Sequence, residues 1–235
     1  MIKNLSEIQK SEIANFGGKA ANLAKLIQKN FLVPPGICIS TKIKKLTPKL
    51  KTEILQKINF PVAARSSATA EDSKLASFAG IFDTILNIEN EKKLWRAIEK
   101  IWKSPNSACA KIYQKEKKIA KIEMAVILQK MIFPDFSGVI FTKNPVDQNS
   151  ILIEISAGGG EKLVAGKIIP ATFFLEKNNF SILKIFNDNN FPRKFLPKIA
   201  KIGQKIEQIF GNFQDIEFAI LNEKIFLLQS RPITA

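Results

Sequence analysis

Four side chains near the C-terminus, Asp215, Glu217, Gln229 and Arg231, have types and spacing that could hold a cation and a polyphosphate together. Two strand-like segments carry them, 214–221 and 225–231. Successive side chains of a strand alternate between its faces. Asp215, Glu217 and Ala219 therefore share one face of the first segment, and Ile225, Leu227, Gln229 and Arg231 share one face of the second. If Glu217 stands opposite Gln229, Asp215 stands opposite Arg231, a register that asks for a three-residue loop at 222–224. Carboxylate and amide oxygens are hard donors suited to Mg2+, and a guanidinium fork suits phosphate oxygens. The same four residues also suit a solvent-facing strand pair joined by a cross-strand Asp–Arg contact.

Three further segments could contact a phosphate ester or a base. Gly17-Gly18-Lys19 stands at the start of a helical pattern, where a glycine turn, helix N–H groups and an ammonium favour an anion. It lacks the glycine spacing and the following Ser or Thr of a Walker A loop, and a plain turn with a cap fits it as well. Arg65-Ser66-Ser67 follows an apolar strand at 61–65 and enters a polar stretch, 66–80. The small residues Ala76 to Gly80 could fold over phosphates with their N–H groups, and Thr84 lies beyond. A polar surface loop is the alternative there. Gln129-Lys130-Met131-Ile132 ends a long apolar run and could offer backbone groups to an adenine edge, or could be the exposed end of a core strand.

The elements that must position these residues change in texture along the chain. Helical spacing is expected over 19–30, 48–58, 91–103, 107–118 and 198–210. Strands are expected at 37–40, 61–65, 81–88, 122–132, 137–141, 151–155, 171–175 and 181–186, with a closing hairpin over 214–230. The shift near residue 121 predicts an α+β chain of two lobes, a helix-rich 1–121 and a β-rich 122–235, with a ligand in the cleft between them. At 235 residues and 46% hydrophobic content the chain can build a sizeable core.

Composition narrows the chemistry. Histidine is absent, so no imidazole base, histidine metal ligand or phosphohistidine can come from these residues. Net charge is +15, but of 36 basic residues only Arg65, Arg96, Arg193 and Arg231 are arginine. The aromatics are mostly Phe within apolar runs, not platforms interleaved with arginine, so the lysines are read as solvated helix faces and nucleic acid as a minor alternative. Cys38 and Cys109 read as reduced core thiols of a cytoplasmic protein, and no apolar run nears the roughly 18 residues of a membrane span.

In this order the segments resemble the nucleotide-binding domain of the phosphoenolpyruvate synthase and pyruvate phosphate dikinase family, an ATP-grasp fold. The resemblance runs through Gly17-Gly18-Lys19-Ala20-Ala21-Asn22-Leu23, Val33-Pro34-Pro35-Gly36, Arg65-Ser66-Ser67-Ala68-Thr69-Ala70-Glu71-Asp72 and Ser77-Phe78-Ala79-Gly80. It continues through Thr84-Ile85-Leu86-Asn87, Gln129-Lys130-Met131, Ser137-Gly138-Val139-Ile140-Phe141-Thr142 and Gly158-Gly159-Gly160-Glu161, and ends with Asp215-Ile216-Glu217-Phe218 and Leu228-Gln229-Ser230-Arg231-Pro232. The ATP-binding part of rifampicin phosphotransferases is similar too.

The resemblance implies ATP and Mg2+ as ligands. Lys19 and Arg65 would hold ATP phosphates, with the loop at Gly80 and with Thr84 closing over them. Gln129, Lys130, Met131 and Ile132 would form the adenine hinge. Glu217 and Gln229 would face Mg2+, Arg231 would bind the β and γ phosphates and Asp215 would support it. Lys19, Arg65 and Arg231 would be the catalytic cations. Family members continue into a mobile domain with a phosphorylated histidine and a pyruvate-binding barrel, so the phosphate acceptor is expected on another domain or chain. The segments between Thr41 and Asn59 and between Phe174 and Phe195 look short for the family. A non-catalytic ATP-sensing module is the alternative function.

Overall fold

The computed structural model describes residues 1–69, 82–116, 122–144, 149–160 and 169–233. They divide into two compact units, Met1–Met131 and Ile132–Ala235. The division falls ten residues beyond the expected boundary at 121. The reason is that the strand at Met124–Lys130 is not the start of the second unit but the middle strand of the first unit's sheet.

In unit 1 the strands are β1 (Ile2–Asn4), β2 (Gly36–Ile39), β3 (Val62–Ala68), β4 (Thr84–Ile88) and β5 (Met124–Lys130). They form one antiparallel sheet in the order β1-β2-β5-β3-β4. β5 is apolar from Met124 to Leu128 because both of its faces are covered. Ala125 and Ile127 join Leu5, Phe16, Leu23 and Cys38 beneath α1 (Ile13–Gln28). Val126 and Leu128 join the other cluster, which Ile54 of α2 (Pro48–Leu55) and Leu94, Ile98 and Ile101 of α3 (Glu91–Lys103) complete. The first unit is thus helix-rich as expected, but its helices pack on a five-stranded sheet.

Capping explains the helix ends. The Asn90 side chain accepts the Lys93 N–H at 3.0 Å, so α3 begins where its 3–4 spacing begins. Thr47 accepts the Leu50 N–H at 3.2 Å and Pro48 occupies the first turn of α2. A fourth helix, α4, runs over Ala108–Glu116, and Cys109 on it is exposed, which corrects its expected place in the core. Cys38 is buried as expected.

Unit 2 is an antiparallel sheet of six strands: β6 (Phe136–Phe141), β7 (Ser150–Ala157), β8 (Ala171–Glu176), β9 (Ile182–Phe186), β10 (Gln214–Leu221) and β11 (Lys224–Pro232). Their spatial order is β11-β10-β6-β7-β8-β9. α5 (Leu196–Phe210) lies against the apolar face near β6, where Gly203 lets it approach: a Cβ there would sit 3.2 Å from Ile140 Cγ2. Ile216 and Phe218 of β10 are buried on that face with Ile140. Asp215, Glu217, Gln229 and Arg231 are on the opposite face, whereas Gln214 and Ser230 stay on the buried one, Ser230 Oγ donating to Gln214 Oε1 at 2.7 Å.

The hairpin reaches the expected pairing by an unexpected route. Glu217 is opposite Gln229 and Asp215 is opposite Arg231. The turn, however, has two residues, Asn222 and Glu223, with φ of 48° and 61°, because Leu221 pairs directly with Lys224. Both φ values are positive, as the tight hairpin turn that matches strand twist demands. Alone, that turn would set Gln229 and Arg231 on the wrong face. A bulge corrects the phase: Phe218 pairs with Leu227 and Glu217 with Gln229, leaving Leu228 as an extra residue. Ile225 and Leu227 consequently share the apolar face with Ile220 and Phe218, and not the face of Gln229 and Arg231 as simple alternation predicts.

Candidate nucleotide-binding site

In unit 2 the candidate residues lie in a row that crosses four strands. Gln229, Glu217, Val139 and Glu154 are successive register partners on β11, β10, β6 and β7, and directly opposed residues of a sheet share a face. One step along the strands, the next row of that face holds Arg231, Asp215, Phe141 and Leu152. Gly138 permits the tight pairing beneath, since a Cβ on it would lie 2.3 Å from the Glu154 carbonyl oxygen and 2.6 Å from Phe218 Cζ.

Arg231 donates from Nε to Asp215 Oδ2 at 2.8 Å, and a terminal guanidinium nitrogen reaches the same oxygen. Asp215 is buried while Arg231 is a quarter exposed, 26% for its side chain. The carboxylate thus aims the guanidinium along the open face of the sheet. Burial pushes the Asp215 carboxyl above its ordinary range, Arg231 opposes the shift, and Glu217 adds to it by repulsion. Burial, with repulsion from Asp215, also raises Glu154. This face concentrates negative charge that a cation would relieve.

Among the described residues no group of three or more His, Cys, Asp or Glu side chains could form a metal cage. The Glu217–Gln229 pair fits a different kind of ion site. One carboxylate and one amide oxygen at a single register position suit Mg2+, which keeps waters and takes phosphate oxygens as its remaining ligands.

In unit 1 the phosphate candidates meet at one end of β3. α1 contains a break at Gly17, whose φ of 76° and ψ of 170° interrupt the helix. The helix proper starts again at Gly18, so Lys19 lies in its first turn. A Cβ at Gly17 would be 2.3 Å from the Ser67 carbonyl oxygen, so only glycine lets the chain pass this close to β3. Ser67 locks the contact, donating from Oγ to Phe16 O at 2.7 Å and accepting the Ala20 N–H at 3.1 Å. Lys19 Nζ donates to Ser66 Oγ at 3.4 Å. Ser66 and Ser67 are buried strand residues and not the start of a surface loop, and Arg65 is buried beside them, 8% exposed.

Other expectations divide. Thr84 is exposed at the start of β4 and pairs with Arg65. Gly80, with residues 70–81, lies outside the described residues. At the supposed hinge the N–H groups of Lys130 and Met131 donate to Pro35 O at 2.9 Å and Pro61 O at 3.1 Å. Gln129 is buried, its Nε2 donating to Pro34 O at 2.9 Å. Those donors serve the sheet and its flanking loops. Glu154 escaped notice in the sequence, although an acidic residue in the apolar run Ile151 to Ile155 is a signal for a one-sided strand. Within Arg65-Ser66-Ser67 the locking role of Ser67 escaped too, since it depends on Gly17 from a distant segment.

Comparison with known proteins identifies the family. Residues 39–190 and 185–235 match the family described as pyruvate phosphate dikinase, AMP/ATP-binding domain. An uncharacterized phosphotransferase of Bacillus subtilis is 31% identical over 93% of this chain and 33% of its own length. A rifampicin phosphotransferase of Bacillus cereus is 28% identical over 99% of this chain and 36% of its own. A probable phosphoenolpyruvate synthase of Methanothermobacter thermautotrophicus is 28% identical over 97% and 45% respectively. The chain thus spans between a third and a half of the length of these relatives. The alignment with the B. cereus enzyme runs over 311 positions against 235 residues here, so that enzyme carries segments this chain lacks. Among solved structures, PH1788 from Pyrococcus horikoshii superposes with a TM-score of 0.55 at 16% identity, over 98% of this chain and 96% of that one, which speaks for the fold alone. Among the described residues no helix is long and apolar enough to cross a membrane. With its α+β fold and the motifs above, the chain belongs to the pyruvate phosphate dikinase AMP/ATP-binding domain family.

Proposed function

We propose that this chain binds ATP with Mg2+ and passes a phosphoryl or pyrophosphoryl group to a histidine on a separate domain or chain. The observation that carries the proposal is the hairpin register, which pairs Glu217 with Gln229 and Asp215 with Arg231 on one face through a bulge. A bulge that sets a cation-binding pair beside a buttressed arginine has little use in a plain surface hairpin.

Each group has a role that its surroundings support. Arg231, aimed by Asp215, binds the oxygens of the transferred group as charge shifts onto them. Glu217 and Gln229 hold Mg2+, which when bound neutralises phosphate charge. Lys19, in the first turn of its helix, and Arg65 bind phosphate oxygens from unit 1, with Thr84 adjoining Arg65. Phosphoryl transfer needs little covalent help from the protein, so positioning and charge neutralisation supply most of the catalysis. If the β–γ bond breaks, the phosphoryl group leaves ADP. If the α–β bond breaks, the pyrophosphoryl group leaves AMP. In either case the acceptor nitrogen forms the new bond, and none of the 235 residues is a histidine.

The test incubates the chain with labelled ATP and Mg2+, with and without a histidine-bearing phosphocarrier domain supplied as a second polypeptide. The lone chain should show an ATP-dependent rise in melting temperature, abolished by EDTA, and only slow turnover. The added domain should become labelled while ADP or AMP appears in equal amount. Rapid stoichiometric labelling of the lone chain, or no thermal shift at millimolar ATP, would overturn the proposal.

A further inference from the structure

The sheet of unit 1 has a cavity at the end remote from Lys19 and Ser67. It lies where β2 and β3 begin and β5 ends, about 16 Å along β5 from Ala125, the partner of Ser67, at five residue steps. Its volume is about 410 Å³, within the range of small-molecule sites. Leu5, Ile37, Val62 and Leu128 supply apolar wall, while Lys57, Lys130 and Asn59 are its strongest polar groups.

The walls are fixed without a ligand. Gln28 Nε2 donates to Ile8 O at 3.1 Å and ties the end of α1 to the segment that follows β1. The Lys130 N–H donates to Pro35 O at 2.9 Å, and Gly36 is so close to β5 that a Cβ would meet Leu128 O at 2.4 Å.

The charge of the lining is one-sided. It includes two lysines and no carboxylate. Among the described residues neither lysine is in an ion pair. Glu7 accepts from Asn4 N at 3.0 Å and Asn4 Nδ2 at 2.8 Å and feels Lys57 only at a distance. An apolar chamber with ammonium groups about it selects a compact ligand with an apolar body and one negative group.

We infer that this cavity is a second small-molecule site, distinct from the phosphate-binding residues, that takes a small aromatic or branched aliphatic carboxylate. Because Lys130 both lines the cavity and belongs to the supposed hinge, occupancy would bear on the strand end that leads out of unit 1.

Calorimetric titration of the intact chain with indole-3-acetate tests this. Binding should saturate at one equivalent, and the neutral indole-3-acetamide should bind more weakly. Lys57→Glu, at an exposed residue, should weaken the acetate about fivefold or more. Ile58→Trp should fill the chamber and abolish binding while leaving the ATP-induced thermal shift unchanged. Should Ile58→Trp fail to fold, the Lys57→Glu comparison decides alone. No saturable binding at millimolar probe, equal binding by the Lys57 variant, or competitive displacement by ATP would overturn the inference. Probe binding in a chain that ignores ATP would sustain it while refuting the proposed function.

Discussion

Arg231 and Asp215 face one another across β10 and β11, with the guanidinium Nε 2.8 Å from Asp215 Oδ2 and a second nitrogen on the same oxygen. The carboxylate is the more buried partner, at 10% side-chain exposure against 26%. Removing the arginine would therefore leave a buried charge alone, which costs more than the pair itself contributes.

Arg231→Ala should lower stability by about 1–3 kcal/mol, below the cost of a fully buried pair because Arg231 is partly hydrated. Adding Asp215→Asn to that variant should recover part of the loss. Urea unfolding of the parent, both single variants and the double variant measures the coupling. Independent, additive effects would show that the contact contributes nothing.

Leu228 is the extra residue of the hairpin, and its deletion should restore unbroken alternation behind the two-residue turn. Gln229 would then follow Leu227 directly, so Glu217 would still stand opposite Gln229 and Asp215 opposite Arg231. The deletion should keep the ATP-induced shift in melting temperature, whereas deletion of Ser230, which would set Arg231 opposite Ile216 on the apolar face, should abolish it. Loss of the ATP response on deleting Leu228 would show that the pairing alone does not set the site.

Gly17 has φ and ψ of 76° and 170°, a region that side chains other than hydrogen scarcely enter. Gly17→Ala should cost about 2 kcal/mol or more, from backbone strain together with the contact on Ser67. Because the same residue sets the helix start at Lys19, ATP affinity should fall in the molecules that remain folded. Gly159→Ala, where a Cβ meets nothing within 4 Å, is the matched control.

Asp215 and Glu154 titrate above their ordinary ranges in the folded chain, both through burial first. The folded state then holds these protons more tightly than the unfolded state does. Their contribution is most favourable below about pH 4, and it falls as pH rises through the ordinary carboxylate range to the raised folded values. Glu154→Gln should remove its share, so the variant should lose less stability than the parent between about pH 4 and 7. Unfolding free energies at several pH values read the difference. A steeper loss in the variant would contradict the assigned direction.

Local rules made much of this protein legible in its sequence. Helical spacing over 91–103 defined α3 residue for residue, and the strands expected at 137–141 and 171–175 are found within one residue of those bounds because one face of each had to be buried. The ordered motifs identified the family, since each depends on short-range chemistry: a glycine before a helix, or polar groups two residues apart on a strand. What tertiary structure alone decided were the features governed by a distant partner. β5 reads as an apolar run in any setting, and only its pairing with both β2 and β3 assigns it to the first unit. Ser66 and Ser67 look like loop residues until Phe16 and Gly17 bury them. The hairpin's face depends on a turn choosing two residues and a bulge restoring the phase, a trade of one residue that leaves the composition of the segment unchanged. Alternation counts residues, whereas the side chains of Gln229 and Arg231 are aimed by hydrogen-bond register.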